Sequence, residues 1–440
     1  MTLSLLDRTS APAGSREPAP DAGSGPARRV AMLSLHTSPL AAPGGPVSGG
    51  MNVYVREVAA ELARGGVAVD VFTRREEAAA PEVQELAPGA RLVQVEAGPV
   101  ATLLPASLSG HVETFADGVA AFGAREDVCY DVVHAHYWLS ALAGERLAER
   151  WGVPHTAMFH TLGEVKRRAL ASQREPEARL AAERRLVHAA DRVVAATAHE
   201  VRLLRQIYGV APSRTRVVPL GVDLDRFRPR DRGEARAELG LATEARIVLA
   251  VCRIQPLKGL DILIRALAQL CRPGGAVGVE LLIAGGVEQA GEEIERLRAL
   301  AAELGVGERL RFLGTVPHER LPAYYAAADV VAVPSFYESF GLAAVEAMAS
   351  GVPVVASRVG GLAATVQDGR TGYLVPWRCP EPFAERIELL LRNEPLRRSL
   401  GSAGTRAMRR YAWSAVAAEL AALYEELVAE HARPVAAGGC

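Results

Sequence analysis

From Arg29 onward the sequence alternates short apolar runs with longer amphipathic stretches, and the alternation halts in the aperiodic segment GVDLDRFRPRD before restarting at ARIVLAVCRI. A short run of branched apolar residues suits a strand buried on both faces, and the amphipathic stretch that follows suits a helix crossing back over a parallel sheet. RRVAMLSL reads as the first strand. A Gly- and Pro-rich loop (residues 39–50) then leads into MNVYVREVAAELARGG, where Val55, Val58, Ala59 and Leu62 keep helical spacing and Gly65-Gly66 stops the helix. VAVDVF, DVVHAH, PHTAMFH, RVVAATA and RVVPLG continue the strand series, which closes one doubly wound domain over 29–220. IVLAV, ELLIAG, RLRFLG, DVVAVP and PVVAS give a second array over 221–408. The stretch WSAVAAELAALYEELVAEHA, within 409–435, is a helix with a wide apolar face that must dock.

A chain of 440 residues also exceeds what one hydrophobic core usually serves. Residues 1–28, rich in Pro, Ala, Gly and Ser, lack the apolar content to offset ordering entropy and are expected to form a disordered tail. A net charge of -1 with no block of Lys or Arg leaves no electrostatic footprint for nucleic acid or an anionic membrane. No stretch reads as a membrane span or signal sequence, and Cys129, Cys252, Cys271, Cys379 and Cys440 match neither a disulfide framework nor a zinc site. A cytoplasmic protein is expected.

Two such domains set the carboxyl ends of their sheets across a cleft, so functional residues should follow strand ends. In SFYESFGLAAVEAMASGVPVVAS, Glu338 precedes a helix start near Phe340 and Glu346 lies two turns on. The helix start suits a diphosphate, and the carboxylates suit sugar and ribose hydroxyls; the glutamates suit a helix start and its exposed face equally well. Arg253 and Lys258, in RIQPLKGLDILIRA, could neutralise a leaving diphosphate or lie solvated on the surface. Gly49 and Gly50 before the first helix allow close approach to a phosphate, or simply a turn. His160 ends a strand, a place more often structural. His134 and His136 have metal-ligand spacing without a companion carboxylate or cysteine, and read as packing and cleft lining. Asp223 and Asp225 form a D-x-D pattern, but in the linker. No G-x-G-x-x-G follows the first strand, which argues against a dinucleotide oxidoreductase.

The string E-S-F-G-L-x-x-x-E-A-M-A-x-G-x-P-V-V resembles the donor signature of the GT4-type retaining glycosyltransferases, and the likeness runs from Arg29 to the final helix. It implies the α/β GT-B fold: two Rossmann-like domains facing each other across a cleft, acceptor side first, nucleotide-sugar side second, with the terminal helix packing back on the first. It implies that Glu338 contacts the transferred sugar and Glu346 the ribose, and that Val316 and the backbone at Phe340, Gly341 and Leu342 face the donor. Arg253 and Lys258 would hold the diphosphate, Gly49 and Gly50 would close over it, and His160 would stand beside the reacting carbon. HTSPL, GGMN-x-Y-V, HAHYWLS and FHTLGEVKRRAL resemble the inositol-phosphate glycosyltransferases of mycothiol synthesis. By position, His36, Asn52, Tyr137, Thr161 and Arg179 would then face the acceptor, with Arg179 on its phosphate.

One position departs from that pattern. Where the family carries a second phosphate-binding lysine this chain has Pro105, in AGPVATLLPASL. The implied reaction moves GlcNAc or glucose from a UDP-sugar to a small polar or phosphorylated acceptor. It requires no cofactor, and a structural Mg is not readable. A homodimer is possible. Alternatives are a sucrose-phosphate-synthase-like transfer to a hexose phosphate, a non-hydrolytic sugar-nucleotide epimerase, and a binding protein that has lost catalysis.

Overall fold

The computed structural model describes residues 28–41, 49–104, 107–170, 174–274, 278–286 and 291–432. The tail expected over 1–28, apart from Arg28, and Pro105 lie outside the described residues.

The first sheet comprises β1 (Arg29–Leu33), β2 (Ala68–Arg74), β3 (Val83–Ala87), β4 (Ala90–Val95), β5 (Val132–His136), β6 (His155–Met158), β7 (Arg192–Ala195) and β8 (Thr215–Val217), in the order β3-β4-β2-β1-β5-β6-β7-β8. The second comprises β9 (Arg246–Val251), β10 (Val279–Ala284), β11 (Leu310–Gly314), β12 (Val330–Val333), β13 (Val354–Ser357) and β14 (Gly372–Val375), in the order β11-β10-β9-β12-β13-β14. Every pairing is parallel except β3 with β4. Most residues of the parallel strands are buried and the majority are apolar, as expected of a sheet covered on both faces. β3, β4 and β14 were not among the strands read from the sequence. β3 is an exposed edge strand, VQELA, with little apolar content, and β14 is a four-residue strand beside β13.

The helix Trp413–His431 runs back across the first domain. It buries Val416, Leu420, Leu423 and Leu427 against the helix Gly50–Arg64 and β5. Trp413 meets Tyr54 edge-on at 5.9 Å. The Tyr424 hydroxyl lies 2.6 Å from His134 Nδ1. At the helix rim Arg192 pairs with Glu426 and Glu430. Each large apolar side chain buried here is worth roughly 1.5–3 kcal/mol, against about 0–1 kcal/mol for an exposed ion pair. The apolar seam therefore anchors the helix. One apolar cluster runs from Val30 and Tyr54 through Leu420 to Phe340 and Met348, so the two domains share a core beneath the cleft.

Candidate active site

Strand order reverses at β1, which lies between β2 and β5, and at β9, which lies between β10 and β12. Such switch points open a crevice beyond the carboxyl ends of the strands. His36 follows β1, Tyr137 follows β5 and His160 follows β6; Arg253 and Lys258 follow β9, Val316 follows β11 and Glu338 follows β12. These residues line one cleft of about 610 Å³, together with Gly49, Gly50, Asn52, Thr161, Arg179, Phe340, Gly341, Leu342 and Glu346. That volume matches pockets that enclose a small organic ligand.

On the second-domain wall, Gly259 adopts φ 65°, and a Cβ there would lie 2.3 Å from the Pro334 carbonyl oxygen. Only glycine permits this approach. It brings the Pro256–Lys258 turn against the segment after β12, where Phe336 N donates to Leu257 O at 2.9 Å. Lys258 Nζ consequently ion-pairs with Glu338 Oε1, which also accepts from Ser335 Oγ at 3.1 Å. The Arg253 guanidinium, by contrast, has no hydrogen-bond or ion-pair partner among the described residues. Burial works against its charge and Glu338 supports it. A desolvated cation of this kind gains from an arriving anion.

The helix Leu342–Ala349 begins after Gly341, at φ 92°, with no side-chain cap. Its first residues, Leu342 and Ala343, line the cleft, and a helix start there suits phosphate oxygens. Phe340 is buried with its ring edge-on to Tyr411, so it offers the cleft mainly backbone. Glu346 is buried yet satisfied: Oε1 lies 2.9 Å from His318 Nε2, and Oε2 accepts from Tyr325 OH at 2.8 Å. Arg226 donates to His318 Nδ1 at 3.0 Å, which leaves the His318 proton on Nε2, facing Glu346.

Across the cleft, an ideal Cβ on Gly49 would lie 3.9 Å from Arg253 Nε, and one on Gly50 would lie 3.7 Å from Leu342 Cδ2. The glycine pair therefore faces the cation and helix start of the other domain. Asn52 shapes this loop. Its Oδ1 accepts from Gly49 N at 2.9 Å, and its Nδ2 donates to Thr37 Oγ1 and Ser38 O at 2.7 and 2.6 Å.

The first-domain corner is built around Arg179. Its guanidinium donates to Glu183 at 2.6 Å, to Glu175 at 2.7 Å and to the Thr161 carbonyl at 2.7 Å, and it stacks 4.8 Å over the Tyr137 ring. Tyr137 in turn packs on His36 at 4.3 Å. Lys166, not singled out from the sequence, reaches the same corner and pairs with Glu175 at 2.5 Å. Burial pulls its ammonium below the usual lysine range against the opposing pull of Glu175. Burial, reinforced by Arg179, holds His36 at about 3. Burial likewise holds His160 at about 3, with His134 and His36 adding to it. Tyr137 and His160 both adopt positive φ, 76° and 59°, a conformation non-glycine residues hold only at a cost.

One expectation needs correction. His134 and His136 are fully buried and lie beneath the cleft rather than on its wall; His134 bonds Tyr424 and His136 bonds His160. Both stand on β5 with their Nδ1 atoms committed inside the fold. Gly285, Gly286 and His318 also line the cleft unannounced. The glycine pair that closes ELLIAGG was a legible signal for the first two, whereas no spacing rule links His318 to Glu346.

The pattern described as Glycosyltransferase Family 4 matches residues 48–226, and that described as Glycosyl transferases group 1 matches residues 231–407. A D-inositol 3-phosphate glycosyltransferase 2 of Catenulispora acidiphila is 44% identical over 93% of this chain and 99% of its own. The chain belongs to the GT4-type glycosyltransferases. A D-inositol 3-phosphate glycosyltransferase of Nocardia farcinica is 46% identical over 90% of this chain and 89% of its own. Among solved structures, the sucrose-phosphate synthase of Thermosynechococcus elongatus superposes with a TM-score of 0.84 at 35% identity, covering 92% of this chain and all of that one. Anabaena HepE in complex with UDP and glucose gives 0.72 at 22% identity, covering 91% of this chain and all of that one. The fold of this transferase is GT-B. No helix among its described residues is long and apolar enough to cross a membrane.

Proposed function

We propose that this glycosyltransferase moves GlcNAc or glucose from a UDP-sugar to an inositol phosphate with retention of the anomeric configuration, in the cytoplasm. The observation that carries the acceptor assignment is the pair of cations, Arg179 and Lys166, flanking Glu175 at the first-domain corner. An entering phosphate would take over donors now shared with carboxylates, with Thr161 and Tyr137 adding hydroxyls. Lys166 supplies a second cation where Pro105 replaces the expected lysine. His36 packs behind Tyr137, and Asn52 holds the loop in place. The first domain thus serves the acceptor.

The second domain serves the donor. Glu346 takes the ribose, Val316 lies along the nucleotide, and Glu338 accepts from sugar hydroxyls. Arg253, Lys258 and the helix start at Gly341–Leu342 hold the diphosphate, with Gly49 and Gly50 closing over it and Phe340 contributing backbone. As the bond from the anomeric carbon to the diphosphate oxygen breaks, charge grows on that oxygen, and fixed cations lower this barrier more than they stabilise the bound donor. The acceptor hydroxyl attacks from the same face and passes its proton to the departing diphosphate. His160 stands beside the reacting carbon.

Relatives 42–46% identical are named for inositol 3-phosphate, which favours that acceptor over a hexose phosphate. The likeness to sucrose-phosphate synthase keeps the hexose phosphate as the second reading. The test is UDP release and product mass with UDP-GlcNAc or UDP-glucose and 1D-myo-inositol 3-phosphate, unphosphorylated inositol or hexose 6-phosphates, with the anomeric configuration read by NMR. Turnover with inositol phosphate alone is expected. Turnover confined to a hexose phosphate would transfer the assignment to the second reading, and no UDP release with any acceptor would overturn the donor assignment.

A further inference from the structure

His136 ends β5 fully buried, with Nδ1 lying 3.0 Å from Nε2 of His160. Its other nitrogen, Nε2, has no hydrogen-bond partner among the described residues. Tyr54 stands edge-on to both rings, with centroids 5.6 Å from His136 and 5.4 Å from His160. Tyr54 is itself braced by Trp413, so the helices Gly50–Arg64 and Trp413–His431 together hold the pair in place.

Burial keeps both imidazoles neutral at ordinary pH, His160 at about 3 and His136 well below its usual value. Each ring then carries one proton, and two arrangements satisfy the contact. In the first, His136 Nδ1–H donates to His160 Nε2. His136 Nε2 is then a bare acceptor, and the His160 proton sits on Nδ1. In the second, His160 Nε2–H donates, and His136 must carry its proton on a buried nitrogen with no acceptor. An orphaned buried N–H is the rarer defect in folded proteins, so the first arrangement prevails.

We infer that His136 is a positioning residue that selects the Nδ1–H tautomer of His160, so that His160 meets the substrate as a hydrogen-bond donor. The inference rests on the transferase reading only for the placement of His160 at the reacting end of the cleft. A donor there suits an oxygen that gains negative charge during transfer. The hydrogen bond between a histidine that ends β5 and one that lies just past β6 thereby fixes the polarity of one cleft group.

Nitrogen NMR of the full chain carrying isotope-labelled histidine reads the tautomer directly, with the His160 signals assigned by their loss in His160→Ala. The expected result is a proton on His160 Nδ1. His136→Asn, whose side-chain N–H stands where the ring Nδ1–H stood, should keep that tautomer, and His136→Leu should release it to the Nε2–H form. In steady-state assays His136→Leu should lower kcat about 10-fold with little change in KM, His136→Asn should restore most of the rate, and His136→Leu made in the His160→Ala background should have no further effect. A wild-type His160 protonated on Nε2 overturns the inference. So does an equal rate loss from His136→Leu with and without His160, which would mark His136 as packing alone. The wild-type spectrum, assigned through His160→Ala, decides the tautomer even if the His136 variants fold poorly or no acceptor supports turnover.

Discussion

Acidification should destabilise the first domain well before its carboxylates titrate. His36, His134 and His160 are held at about 3 and His155 at about 4, in each case chiefly by burial. In the unfolded chain each takes up a proton near pH 6.5. The unfolded state therefore binds more protons as pH falls, and the stability these groups confer is complete above that value and lost below it. Between about pH 7 and about pH 5.5 each costs slightly over 1 kcal/mol, or about 5 kcal/mol together if they titrate independently. His136, held well below its usual value, adds in the same direction. Glu200 opposes them. Burial raises its carboxyl to about 7, so the folded state takes up a proton that the unfolded carboxylate declines. Over the same interval that returns about 2 kcal/mol. The expected net loss is at least about 3 kcal/mol, a large part of the roughly 5–15 kcal/mol typical of a folded domain. Urea unfolding at the two pH values, at matched ionic strength and followed by the fluorescence of Trp138 and Trp151, measures it. Glu200→Gln should deepen the loss toward about 5 kcal/mol. Equal stability at the two pH values, or greater stability at the lower one, would refute the picture of histidines held neutral by burial in the first domain.

Lys258→Ala removes the cation paired with Glu338 and should lower kcat about 100- to 1,000-fold, on the scale of a lost oxyanion donor, while the melting temperature stays nearly unchanged; steady-state kinetics beside calorimetry separate the two. Glu346→Gln withdraws the charged acceptor facing His318 and Tyr325 and should weaken UDP about 10-fold or more by titration calorimetry, with pyrophosphate binding unaltered. Gly361→Ala would set a Cβ 2.2 Å from Ser339 O and 2.5 Å from Phe340 Cα. The backbone beneath the donor helix would have to shift, so both thermal stability and UDP affinity should fall.

The doubly wound pattern was legible because its signals are local. Branched apolar runs, helical spacing at Val55, Val58 and Leu62, and glycine stops report on neighbours along the chain, and the strands they marked form the two sheets. The residues that converge on the cleft were legible for a related reason: in such sheets a residue just past a strand end faces the crevice whichever partner lies opposite. β3, β4 and β14 escaped: β3 is a polar edge strand, β14 is four residues long, and Arg91 and Gln94 interrupt the apolar run of β4.

Contacts between distant residues carried no such mark. Glu346 finds His318 and Tyr325, Lys166 joins Arg179 through Glu175, and Asn52 directs its amide into its own loop rather than the acceptor corner. His134 and His136 show the limit most plainly. Alternation along β5 places both on one face, but only the arrival of Trp413–His431 over that face makes it an interior, with Tyr424 on one ring and His160 against the other. The pattern of strands and the list of polar groups at their ends follow from periodicity along one chain. Which of those groups are desolvated, paired or free depends on what packs against them from elsewhere, and burial and charge act through space.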